Sequence, residues 1–445
     1  MLNKLTAISQ RFSPELRKII SNIGWLFADR VLRMGIGLIV GAWVARYLRP
    51  QQFGLYNYAL AFVLLFSAIA TLGLDQIVVR NIVREPSTKD EILGTAVVLR
   101  LFAGILSLLL ATGTIVLLRP GDTLMHWLVG ITAAGLIFQA LDPIDFWFQS
   151  QVKSKYTVVA KNTTFIIIIL VKIALIEMKA SLLAFVWAGL VEIALGAGGL
   201  AIAYQFSGQN LRAWRVNLRQ AKSLLKESWP LIIAGLAIMI YISIDKIMLG
   251  QLVNPEAVGV YSVATRLSEL WVFLPAAIVP SVNPSIIESK KVTESLYYER
   301  LQKLFNVMTS LAYSIAIPMT FLSKPIVVLL YGQNYESAGG VLAIHIWGQI
   351  FSFLGIAKSI WIVTEELTVY ALVITSLGAL MNILLNFWLI PIYREAGSAI
   401  ATVISYAFVD YVIFLFYPPF QRMGQLMTNA LLLKHIVVRV RRFWT

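Results

Sequence analysis

"PQQFGLYNYA", Pro50–Ala59, returns 205 positions later as "PEAVGVYSVA", Pro255–Ala264. The shared pattern is Pro-x-x-[Phe/Val]-Gly-[Leu/Val]-Tyr-x-x-Ala. Each copy follows the first long apolar run of its half and leads into the second. Proline opens the turn, glycine permits close backbone passage, and the tyrosine suits a membrane–water interface. Two copies at equal positions point to an internal duplication with halves 1–212 and 213–445. With six apolar runs each, the halves share one orientation and form a parallel repeat about an axis along the membrane normal. That design is typical of alternating-access transporters, whose site lies between the repeats.

The composition around the repeat sets the class. The 445-residue chain is 58% hydrophobic and only 13% charged, with mean hydropathy +0.77. Soluble domains carry about 25% charged residues, so this is the composition of an integral membrane protein. The absence of cysteine excludes disulfides and thiolate metal sites. His126, His345 and His435 stand too far apart to suggest a ligand set. Neither a nucleotide-binding loop nor a nucleophile constellation is visible, so no cofactor, metal or enzymatic activity is expected. The first 22 residues lack an apolar core of signal-peptide length and carry Lys4, Arg11, Arg17 and Lys18, so helix 1 is read as its own insertion signal.

About 20 apolar residues cross the hydrocarbon. On that basis the fold class is all-α membrane, with twelve helices in two six-helix bundles around a central cavity. The runs are 23–45, 56–79, 92–118, 124–148, 157–177, 181–204, 229–250, 257–287, 304–330, 338–363, 367–390 and 397–420. The eighth is too long for a straight crossing, and Pro275, Pro280 and Pro284 predict a bend or break. With the N-terminus inside, cytoplasmic segments hold 23 of the 37 Lys and Arg and outward loops five. Both termini are therefore expected in the cytoplasm. One loop departs from the rule: Thr364–Thr368 carries Glu365 and Glu366 and no cation. The formal charge of +14 faces anionic lipid and is no sign of nucleic-acid binding. "LRAWRVNLRQAKSLLK", 211–226, is expected to join the halves as an interfacial amphipathic helix.

Several stretches, in order, resemble the bacterial polysaccharide-biosynthesis flippases (Wzx-type O-antigen and capsule-repeat transporters) of the multidrug/oligosaccharidyl-lipid/polysaccharide exporter superfamily. They are "ARYLRPQQFGLY" after helix 1, "GLDQIVVRNI" closing helix 2, and "DKIMLGQLVNPEAVGVYSVATRLSELWVFLPAAIVPSVNPSI" across helices 7 and 8. "LLYGQNYESA" after helix 9 and "MNILLNFWLIPIYREAGSAIATVIS" across helices 11 and 12 complete the series. In that last stretch "YREAG" carries Arg394 and Glu395, an extra charged pair beside the family's usual pattern. The resemblance implies outward flipping of an undecaprenyl-diphosphate-linked oligosaccharide by two bundles around a hydrophilic cavity. Its partners would be the lipid-linked glycan, the bilayer, and the polymerase and ligase of the same pathway.

Charges inside the spans are where such a load would be read, because each costs roughly 2.5–3.5 kcal/mol at bilayer depth. "ADRVLRMGIG", Ala28–Gly37, puts Asp29, Arg30 and Arg33 into helix 1. Asp29 and Arg33 stand at i, i+4 with the acid first, the favourable order for a pair; Arg266 and Glu269 form an i, i+3 pair in helix 8. Either these pairs neutralise themselves and lock the bundle, or they serve the cargo. Arg100, Lys358, Glu192 and Asp410 lack a partner on their own helix. Arginine bonds two phosphate oxygens at once, so Arg30, Arg33, Arg100 and Arg266, with Lys358 next, are the candidates for a diphosphate head group. Glu192, Glu269 and Asp410 are the candidates for ion coupling. Asp75, Asp142, Asp145 and Asp245, nearer helix ends, read as interface anchors. A multidrug exporter is the rival within this architecture and would need an acidic cavity. A membrane-embedded glycosyltransferase or ligase on the same lipid carrier is the rival of another class. It would need catalytic groups in a sizeable outer loop, and none of these loops is large.

Overall fold

The structure is a computed structural model that describes residues 14–434, with side chains described from Arg33 onward. Among the described residues it is helical throughout. The chain is a multi-pass membrane protein: among the described residues nine helical stretches are long and apolar enough to span, or ten when one bent pair is taken together. The 52-residue stretch Arg33–Arg84 and the 49-residue stretch Thr368–Phe416 each suffice for two crossings, so twelve crossings fit the lengths.

The first helices are α1 (Pro14–Thr71), α2 (Asp75–Arg84), α3 (Lys89–Leu118) and α4 (Thr123–Phe138). They are followed by α5 (Pro143–Ser150), α6 (Lys155–Glu177), α7 (Leu182–Phe206) and α8 (Leu218–Leu252). Then come α9 (Pro255–Glu269), α10 (Phe273–Val292), α11 (Glu294–Tyr331), α12 (Ala338–His345) and α13 (Gly348–Thr364). The chain continues through α14 (Thr368–Ala407), a π-helical segment Phe408–Val412, α15 (Ile413–Phe416) and α16 (Gln421–Leu431).

Several expected boundaries move, each for a local reason. The second run stops at Thr71 because Leu72 and Gly73 take positive φ (54° and 61°), and α2 starts afresh. The fourth run is broken at Asp142, since Pro143 removes a backbone donor and starts α5. In the eighth run the break is the 3₁₀ turn Leu270–Val272, ahead of the three prolines; Pro280 and Pro284 lie inside α10. The basic stretch from Leu218 onward is no separate interfacial helix: it is the first part of α8, continuous through Pro230.

By packing the chain divides into two compact units. One takes in the chain up to Tyr47 with Ala59–Met239, and the other Leu48–Tyr58 with the chain from Ile240. In the first, α3 packs on α4, α6 on α7, and α4 on α7, while α2 lies on α5. In the second, α11 packs on α12, α13 and α10, and α9 on α12 and α14.

Apart from Ala59, both copies of the repeated motif belong to this second unit, and they pack on each other. In each copy the residue before proline leaves helical geometry, as pre-proline sterics favour. Arg49 has φ 58°, ψ 167°, and Asn254 has φ −172°, ψ 171°. A new helical turn starts at each proline, and Asn254 caps α9 by accepting from the Ala257 N–H at 2.9 Å. The two turns cross reciprocally: Gly54 lies on the carbonyl of Pro255, and Gly259 lies on the carbonyl of Pro50. Contact i-to-j answered by j-to-i is the mark of a local two-fold relation, as in an isologous interface. Glycine is required at both places because a Cβ at either would fall on the opposite backbone.

The loop that breaks the charge rule is also explained within this unit. Glu365 pairs with Lys290 at 2.8 Å, so the missing cation is supplied by the last turn of α10.

Candidate functional site

Each unit holds its own set of intramembrane charges. In the first, a cavity of about 170 Å³ is lined by Arg33, Gln139, Asp142, Lys161, Thr164 and Glu192, with apolar side chains between them. Arg33 comes from α1 and lies 5.0 Å from the centre of the Phe165 ring on α6, a cation–π distance. Asp142 enters because the chain breaks there: the 3₁₀ turn Gln139–Leu141 and Pro143 hold its carboxylate inward, between α4 and α5. Glu192 is paired with Lys172 at 3.0 Å, and Lys161 with Asp145 at 2.9 Å. The volume is that of about five or six waters. It admits a phosphate-sized group or part of one sugar, and it is amphoteric.

Arg100 does not line this cavity. It is 1% exposed and clamped between Asp75 (3.3 Å) and Asp142 (3.4 Å), over the Phe146 ring at 5.3 Å. Asp75 and Asp142, read from sequence as interface anchors, are therefore the partners of a buried arginine. Their separations of 25 and 42 positions put them beyond any helical spacing rule. Asp29 and Arg30 fall where side chains lie outside the described residues, and so does the Asp29–Arg33 pair.

In the second unit α9 is buried along nearly its whole length, and only Glu256, Arg266 and Glu269 are exposed. Arg266 stands eleven residues from Pro255, about 16 Å along the axis at 1.5 Å per residue. With Pro255 at the outward end of its span, as the sequence reading places it, that is near the middle of a hydrocarbon core of about 30 Å. Charges exposed at that depth have to face water, since lipid would not tolerate them.

Lys358 sits differently. It is 6% exposed, donating to Asp410 Oδ1 at 2.8 Å and to the carbonyl of Val409 at 2.9 Å, with the Phe414 ring 4.6 Å away. Both partners lie in the π-helical segment, where the altered bonding pattern leaves a carbonyl for a side chain to satisfy. Lys358 and Asp410 thus clamp a bulge.

Sequence reasoning missed the acid that is most enclosed among the described residues. Asp245, expected at an interface, is 5% exposed and accepts three hydrogen bonds from other helices. They come from the Tyr261 hydroxyl (2.6 Å), the Thr402 hydroxyl (2.7 Å) and Asn386 Nδ2 (2.6 Å). Asn386 Nδ2 also donates to Asn382 Oδ1 at 3.0 Å. Among the described residues no Lys or Arg pairs with Asp245. Tyr261, the motif tyrosine, is buried here and does not sit at the interface. At the repeat spacing the counterpart of Asp245 is Val40, so the cluster has no equivalent there in the first half. A buried carboxylate ringed by neutral oxygen-bearing groups can exchange a proton or a small cation.

A family model described as "Polysaccharide biosynthesis protein" matches residues 19–290. The chain is 31% identical over 175 residues to the probable flippase AglR of Haloferax volcanii, a match spanning 38% of this chain and 36% of that relative. It is 20% identical over 388 residues to the putative O-antigen transporter of Escherichia coli, covering 85% of this chain and 92% of that one. The structure of the lipid II flippase MurJ in an inward closed conformation superposes with a TM-score of 0.72 at 15% identity, over 93% of this chain and 92% of that one. This last likeness is one of fold.

Proposed function

We propose, from the premise that this chain belongs to the polysaccharide biosynthesis protein family, that it is a flippase for a lipid-linked glycan. The two relatives carry the names of a flippase and an O-antigen transporter, which supports transport over enzymatic chemistry. The finer reading is movement of an undecaprenyl-diphosphate-linked oligosaccharide from the cytoplasmic to the outer leaflet by alternating access. It places both termini in the cytoplasm, in line with the basic loops, and makes the pathway's polymerase and ligase the downstream partners.

The observation that carries this reading is the exposure of Arg266 and Glu269 in the last turn of an α9 otherwise buried beyond its first turn. It argues for a water-filled interior lined by charge. Arg33, on its amphoteric cavity, is the counterpart in the first unit. These two arginines, with Arg30 from the same turn as Arg33, are assigned to the diphosphate. Arg100 and Lys358 are engaged with carboxylates, so their role is to hold the bundle.

Coupling is assigned to Asp245. Glu192 and Asp410 are already neutralised by Lys172 and Lys358, and Glu269 lies in the field of Lys246. Asp245 alone of these four is enclosed without a cation, and its hydrogen bonds join α8, α9 and both arms of α14. A proton or cation added there changes the charge of the segment that holds those helices together.

The test is binding in nanodiscs, comparing an undecaprenyl-diphosphate oligosaccharide with undecaprenyl monophosphate. A charge-assisted hydrogen bond is worth about 1.5–3 kcal/mol, so Arg33→Ala and Arg266→Ala should each weaken the diphosphate ligand by about 10- to 100-fold. Equal affinity for both lipids, with both variants unaffected, overturns the assignment.

A further inference from the structure

At the loop end of the first unit a groove remains that none of the above uses. α2 is short and two-faced: Ile77, Val78 and Ile82 are buried, while Gln76, Arg80, Val83 and Arg84 are exposed. The buried row joins an apolar cluster with Trp147, Tyr204 and Leu224. The exposed edge is one wall of an open groove of about 590 Å³, and Glu227, Pro230 and Leu231 of α8 form the other. The walls are fixed together at one point, where Gly73 passes so close to Leu231 that a methyl on it would lie 2.7 Å from the leucine Cβ.

The lining has two kinds of surface. Ile77, Pro230 and Leu231 make an apolar floor, and Leu231 is 44% exposed. Arg80 bonds Asn81 Oδ1 and pairs with Glu227. Arg84 lies in the last turn of α2, where the helix dipole favours a cation, and among the described residues nothing bonds it. Two guanidinium groups against one carboxylate leave a surplus of one positive charge. Trp229, beside the groove on α8, is 58% exposed and marks head-group depth. Leu218 and Leu225 are exposed on the same segment among Arg219, Lys222 and Lys226, as on a surface lying against lipid heads.

We infer that this groove binds one anionic bilayer phospholipid, its phosphate on Arg84 and Arg80 and its first acyl segment along Pro230 and Leu231. A guanidinium fork takes two phosphate oxygens at once. The apolar floor accounts for a lipid in place of free phosphate. The single surplus charge matches a phosphodiester, whereas a lipid diphosphate brings at least two. A zwitterionic lipid carries an ammonium group that the unpaired Arg84 repels.

Native mass spectrometry of the detergent-solubilised protein, titrated separately with phosphatidylglycerol and phosphatidylcholine, tests this. Wild type should retain one phosphatidylglycerol and no phosphatidylcholine. Arg84→Ala, an exposed site at which folding is not at stake, should lower occupancy about tenfold or more. Arg212→Ala, an exposed cation elsewhere on the same unit, should leave it unchanged. Equal retention of both lipids, or full occupancy in Arg84→Ala, overturns the proposal. So does displacement of phosphatidylglycerol by an equimolar polyprenyl diphosphate, which would make the groove a substrate site.

Discussion

Replacing Gly54 or Gly259 by alanine tests whether the reciprocal crossing holds the second unit together. A methyl carbon at position 54 would lie 2.6 Å from the Pro255 carbonyl carbon and 2.9 Å from the Gly259 nitrogen. At position 259 it would lie 2.9 Å from the Pro50 carbonyl carbon and 3.2 Å from the Gly54 nitrogen. Carbon atoms pack at about 3.5–4.0 Å, and the carbonyl oxygens of Pro255 and Pro50 lie nearer still, so the crossing must open by roughly 1.5 Å for Gly54→Ala and about 1 Å for Gly259→Ala. The obstructing atoms are backbone, so no side chain can swing aside. Overpacking of this kind costs about 1–3 kcal/mol, with Gly54→Ala the worse. Because one opening relieves both clashes, the double variant should cost less than the sum of the singles. Gly113 in α3 has open space at its Cβ and serves as the control. Gly113→Ala should be neutral or stabilise by up to about 1 kcal/mol through helix propensity. The assay is SDS-driven unfolding in mixed micelles followed by circular dichroism. Both single variants within about 0.5 kcal/mol of wild type, or strict additivity in the double, would refute the crossing as described.

The same unfolding assay checks the buried charges. Arg100→Leu should cost about 1–3 kcal/mol, below the usual figure for breaking a buried pair because Asp75 and Asp142 keep some solvent, and adding Asp142→Asn should return part of it. Lys358→Met should cost about 3–5 kcal/mol, and Lys358→Met with Asp410→Asn distinctly less, since the pair is nearly enclosed. In proteoliposomes with imposed proton or sodium gradients, Asp245→Asn should abolish the dependence of flipping on the gradient, while Glu192→Gln preserves it. A gradient response unchanged in Asp245→Asn removes Asp245 from the coupling role and returns attention to Glu269.

Much of the architecture was legible because a bilayer leaves few choices. Apolar runs of about 20 residues have to be helices. Pro50 and Pro255 start turns where the motif places them. The odd pair in "YREAG" also had a structural counterpart: Arg394 takes φ 53°, ψ −131° and kinks α14 there. What stayed hidden depends on contacts between distant segments. Helical spacing pairs Asp29 with Arg33, but it cannot bring Asp75 and Asp142 to Arg100 or Lys358 to the carbonyl of Val409. For Asp245 the sequence misleads, because nearness to a helix end does not guarantee nearness to water. In the fold that end is covered by Tyr261, Thr402 and Asn386, which no local pattern announces. The break at Leu72–Gly73, which creates α2 and its groove, likewise lies inside the run 56–79 that the sequence reads as one helix.

The central claim is that this chain carries a lipid-linked glycan across the membrane through a charge-lined interior. Its most direct test is transport in proteoliposomes, comparing a labelled polyprenyl-diphosphate oligosaccharide with a cationic dye, in wild type beside Arg33→Ala and Arg266→Ala. The account predicts that the glycan lipid flips, the dye stays, and both substitutions slow flipping about tenfold or more. Movement of the dye without the glycan lipid, with both arginines dispensable, would contradict it and place the chain among drug exporters.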